Sequence, residues 1–66
     1  MSIAGYYKNV IREWYAAPKK TPSLKKQMKE IIFKFYSIRD YYKEIPEDES
    51  KNLTYEFYKI EEFLNQ

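Results

Sequence analysis

The stretch LKKQMKEIIFKFYSIRDYYKEI, running from Leu24 to Ile45, decides the fold. Within it Leu24, Met28, Ile31, Phe35, Ile38, Tyr42 and Ile45 follow at alternating steps of four and three. Side chains at that spacing share one side of an α-helix, so the run reads as an apolar seam over about three heptads. Thr21 supplies an N-cap hydroxyl, and Pro22 suits the first helical position, where a missing N–H costs nothing. Pro46 disfavours helical geometry at Ile45, so the helix is expected to stop near there. Roughly 23 residues at about 1.5 Å each would span about 35 Å, long for a chain of this size.

On either side of this helix lies a connection. Ala17-Pro18-Lys19-Lys20-Thr21-Pro22 has two prolines and no large apolar residue, and Pro46-Glu47-Asp48-Glu49-Ser50 couples a proline to an acidic run. Both read as breaks that cut the chain into three segments. Before the first break, Ile3, Tyr7, Val10 and Trp14 keep helical spacing over residues 3–16, with Ile11 beside them and Gly5 weakening the first turn. After the second, Leu53, Phe57, Ile60 and Leu64 do the same over about residues 49–65, with Phe63 flanking. Glu47, Asp48 and Glu49 would stand at that helix's N-terminus, where the macrodipole favours negative charge. The expected fold is all-α: one domain over residues 1–66, a three-helix up-down-up bundle with a long central second helix as its spine.

Composition narrows the function. The 66 residues include no Cys and no His. Disulfides and thiolate metal sites are thereby excluded, and the commonest metal ligand and general base are missing. One Gly rules out a glycine-rich phosphate loop, and the serines Ser2, Ser23, Ser37 and Ser50 stand in no nucleophile context. The paired carboxylates of 47–49 and 61–62 read as helix-terminus charge and a solvated face. The expectation is a protein that is not an enzyme, with no cofactor and no metal. No apolar run reaches the roughly 18 residues of a membrane span. The opening Met1-Ser2-Ile3-Ala4-Gly5-Tyr6 lacks a basic stretch before an apolar one, so a cytoplasmic location is expected. Rich use of Lys, Ile, Tyr and Asn, with Lys far above Arg, is what an AT-rich genome writes. Small helical proteins of this kind are common in AT-rich bacteria and their mobile elements.

The surface has one odd strip. Lys26, Lys29, Phe33, Tyr36, Asp40 and Lys43 also fall at steps of three and four, on the side of the long helix away from its seam. A monomeric bundle places small or charged residues there. Here two aromatics stand between lysines, and Ile32 and Tyr41 widen the apolar surface. Three readings compete: Phe33 and Tyr36 are core because the helix is buried on both faces; they bind a protein partner or a second copy in a homodimer; or they stack on nucleic-acid bases. The third draws on a lysine cluster, Lys19, Lys20, Lys25, Lys26 and Lys29. Scarce Arg, the usual reader of base edges, tells against it, and the seam's commitment to a core disfavours a membrane surface. Charge is also segregated. Residues 1–43 carry ten basic and three acidic side chains, residues 44–66 two basic and seven acidic. The expected function is non-catalytic: a small regulator, adaptor or inhibitor that binds another protein through the aromatic and basic helical face. The alternative is a small DNA- or RNA-binding regulator using the lysine cluster.

Overall fold

A computed structural model describes residues 2–66. Three helices and no strand account for 82% of the described chain. Helix α1 runs Ile3–Ala16, α2 runs Pro22–Ser37 and continues through a π-helical turn at Ile38–Tyr42, and α3 runs Glu47–Leu64. No helix among the described residues is long and apolar enough to cross a membrane.

The caps explain where the helices begin. Ser2 accepts the Gly5 N–H at 3.0 Å, which supports the turn that Gly5 weakens. Thr21 accepts the Leu24 N–H at 3.1 Å, with Pro22 at the first helical position, as the sequence requires. Glu47, Asp48 and Glu49 fill the first turn of α3, which starts two residues earlier than the apolar spacing indicates.

Cross-helix pairs establish the direction of travel. Lys8 meets Glu49 and Tyr15 meets Glu56, so α1 and α3 run parallel. Tyr36 meets Glu61 and Arg39 meets Thr54, so α2 runs against α3. The result is the expected up-down-up bundle, with the second helix the longest at 21 residues. At its centre one aromatic from each helix converges. Tyr7 packs edge-on to Phe35 at 5.2 Å and to Phe57 at 5.9 Å, and Phe35 and Phe57 lie 4.8 Å apart. Such pairs add about 0.5–1.5 kcal/mol each beyond the area they bury. Trp14, Met28, Ile32, Leu53 and Ile60 complete the core above and below this cluster.

Two details of the long helix depart from the sequence pattern. The regular helix ends at Ser37, and the last turn widens so that the Lys43 N–H bonds the Ile38 carbonyl, five residues back, at 3.1 Å. A π-turn accommodates an extra residue and so rotates everything after it out of the preceding register. Tyr42, the sixth member of the seam, therefore faces solvent at 67% exposure. Ile45, its seventh, is still buried, but it reaches the core from the connection rather than from the helix. Lys43 closes the turn in the left-handed region at φ 50°.

Candidate protein-binding groove

Phe33 is the central finding at the surface. It sits on regular helix, one residue after the buried Ile32, and is 75% exposed. The core reading for this residue is therefore set aside. Helix α2 is not buried on both faces: α1 meets it along Leu24, Met28 and Ile31, α3 meets it along Ile32 and Tyr36, and the side that carries Phe33 stays open. Tyr36, its expected companion, is half-buried and tied down. Its hydroxyl donates to Glu61 Oε1 on α3. Burial, then the bond to Glu61 and its charge, push the Tyr36 phenol up to about 12.

Between these helices runs a groove of about 250 Å³ lined by Lys29, Ile32, Phe33, Tyr36, Glu61, Leu64 and Asn65. Ile32 gives it an apolar floor and Phe33 an aromatic wall. Lys29 stands on the α2 rim, and Glu61 faces it from α3. A larger groove of about 390 Å³ lies between α1 and α2, against Ile3, Tyr6, Tyr7, Lys34 and Ile38. None of the candidate binding residues read from the sequence lines it.

The remaining residues of the strip divide at the π-turn. Lys26 precedes Lys29 by one turn and is exposed, so Lys26, Lys29 and Phe33 form a continuous outer edge. Asp40 and Lys43 lie on or beyond the widened turn and do not join the groove. Asp40 is exposed and held by Arg39, whose Nε donates to it at 2.7 Å; that contact keeps the Asp40 carboxyl below its ordinary range. Lys43 lines a separate hollow with Arg39, Ile45, Glu47, Ser50 and Lys51.

Arg39 is the residue the sequence did not mark. Its guanidinium lies 4.7 Å from the centre of the Tyr36 ring and donates to Thr54 Oγ1 at 3.1 Å, so it links both helices at the end of the groove. The i, i+3 spacing of Tyr36 and Arg39 was the available signal. Glu61, Leu64 and Asn65 were invisible as groove residues, because their role depends on which helix edge α3 presents to α2.

The five lysines of the proposed nucleic-acid cluster are not equivalent. Lys20 is half-buried and donates to the carbonyls of Trp14 and, at 2.8 Å, of Ala17. It also stacks on the Trp14 ring at 4.9 Å, and so closes the end of α1. Lys25 lies over Phe63 at 5.6 Å, against α3. Lys19, Lys26 and Lys29 are exposed. No protein-family model matches the chain, and neither a curated protein nor a solved structure matches it.

Proposed function

We propose that this chain is a small, cytoplasmic, non-catalytic protein that binds another protein through the α2–α3 groove and acts as a regulator, adaptor or inhibitor. The observation that carries the reading is Phe33: a large aromatic side chain, mostly exposed, on a rigid helix and beside an apolar hollow. Burying a ring of that kind in a partner is how interface hot spots contribute 2 kcal/mol or more. Flanking lysines and a carboxylate across the groove supply the polar rim that orients a partner. The absence of His and Cys from the sequence leaves little with which to build a reaction centre. The Lys-rich, Arg-poor usage fits the small regulators that AT-rich bacterial mobile elements carry.

Nucleic acid is the weaker reading, for a specific reason. Lys20 is engaged in closing α1, and Lys25 lies on Phe63, so the lysine cluster offers fewer free phosphate ligands than its sequence promises. The two readings separate by photo-cross-linking. Benzoylphenylalanine is placed at position 33 and, as a control, at position 55 on another exposed surface, and native cells are irradiated. A protein cross-linked from position 33 alone is the expected result. Cross-links to nucleic acid only, or an identical pattern from both positions, would overturn the reading, and a cross-link to the chain itself would make the partner a second copy.

A further inference from the structure

We infer that the α2–α3 groove takes an acidic amphipathic helix, docking an apolar side chain against Phe33 and Ile32 and its carboxylates on the lysine rim of α2. The inference rests on the protein-binding reading and adds the chemistry of the partner. Two observations along the rim support it. Lys26 and Lys29 stand one turn apart on the exposed edge, and neither is in an ion pair among the described residues, while Lys8, Arg39, Lys51 and Lys59 each are; Lys25, beside them, lies over Phe63 and adds its charge but not a free ammonium. Along this edge the acidic groups are Glu30, one turn beyond Lys26 on the outer side, and Glu61, already accepting from Tyr36. The α2 edge is therefore net positive, with three lysines against Glu30, and Lys26 and Lys29 are available to carboxylates.

The placement of Glu61 decides between an acidic protein and a polyanion. Glu61 sits in the groove wall opposite Lys29. A phosphate backbone lying in the groove would meet that carboxylate at close range, where like charges repel strongly in a partly dry setting. An amphipathic helix avoids the conflict, because its apolar face enters the groove while its acidic flank stays on the α2 side. The groove, bounded by two rigid helices, offers the apolar trough that this mode of recognition uses.

The test is selection from a displayed library of random helical 15-residue peptides, panned against the intact protein with Phe33→Ser as the counter-selecting bait. Enriched peptides are expected to be net acidic, with Leu or an aromatic residue at helical spacing. Measured one by one, they should lose about tenfold or more in affinity to Lys26→Glu with Lys29→Glu, as two exposed charge pairs turned repulsive would cost. Enrichment of neutral or basic peptides that still need Phe33 would overturn the charge assignment and leave the protein-binding reading intact. No Phe33-dependent peptide, with position 33 still cross-linking to a protein in cells, would likewise overturn this inference alone. Oligothymidylate binding that Phe33→Ser abolishes, weakening steeply between about 50 and 200 mM salt, would overturn both.

Discussion

The Tyr36 hydroxyl donates to the Glu61 carboxylate and so ties the last regular turn of α2 to the last turn of α3, one helical turn on from the exposed Phe33. One bond thus bridges the two walls of the groove that the neighbouring ring overlooks. Tyr36→Phe keeps the ring and removes the donor, and is expected to cost about 1 kcal/mol of stability. Burial of this hydroxyl, reinforced by the bond to Glu61 and its charge, has a pH signature. The folded-state pKa of Tyr36 is pushed up to about 12 from an ordinary 10.0, so the native state holds its proton more tightly. The stabilisation is fully present below pH 10 and is lost as pH rises from 10 through about 12. Burial raises Tyr7 in the same direction. Urea midpoints followed from pH 8 to 12 should fall for the parent chain and fall less for Tyr36→Phe; equal alkaline losses would refute the assignment.

Phe33 and Phe35 are two residues apart and should behave in opposite ways. Phe35 is fully buried between Tyr7 and Phe57. Phe35→Ala is expected to cost about 3–5 kcal/mol, which a domain this small has little margin to survive. Phe33→Ser is expected to stay within about 0.5 kcal/mol of the parent while binding is lost. Thermal melts of both variants check this directly, and a strongly destabilised Phe33→Ser would mean that the ring is packed rather than presented.

Lys20 is expected to be structural. Lys20→Met removes the ammonium that holds the Trp14 and Ala17 carbonyls, and should lower stability by about 1 kcal/mol, or roughly 4–8 °C in Tm. Lys19→Met, one residue earlier and exposed, should change it by less than about 0.5 kcal/mol. Equal melting temperatures for the two variants would show that Lys20 is solvated and free to meet a phosphate.

Lys43 occupies the left-handed region, which penalises any residue with a Cβ by about 1–2 kcal/mol. Lys43→Gly should therefore raise stability by about 0.5–1 kcal/mol after the added freedom of the unfolded chain is counted. Lys43→Val, stiffer at that dihedral, should lower it. Chemical denaturation of the three proteins gives the order Gly, Lys, Val; any other order would argue that the turn relaxes in solution.

Helices α1 and α3 were readable from their apolar spacing, and α2 from its seam as far as Ile38, because burial imposes that spacing on any helix with one covered side. The π-turn was not readable. Leu24 to Ile45 keep their four-three steps straight through it, and nothing local distinguishes Tyr42 from Phe35. What separates them is the bundle. Pro46 and the buried Ile45 draw the chain off toward α3, and the last turn opens to let it go. Phe33 could be singled out because an aromatic opposite a seam is chemically out of place. Its exposure depended on α3 packing against Ile32 and Tyr36 and stopping short of Phe33, which no single-helix pattern states. Lys20 looked like one more surface lysine, since its partners are backbone carbonyls of α1 and carry no side-chain signature.

The odd number of helices leaves Ser2 and Asn65 at opposite poles of a body 31 Å long. Ser2 lies by Ile38, far from the groove, whereas Leu64 and Asn65 form part of its wall. Whatever is joined after Gln66, whether a purification tag, a fluorescent reporter or a linker, leaves the bundle beside Phe33 and is held there at high local concentration. An affinity measured with such a fusion would include competition from the protein's own appendage. The N-terminal pole is the place to attach a handle, and immobilisation through it would present the groove outward.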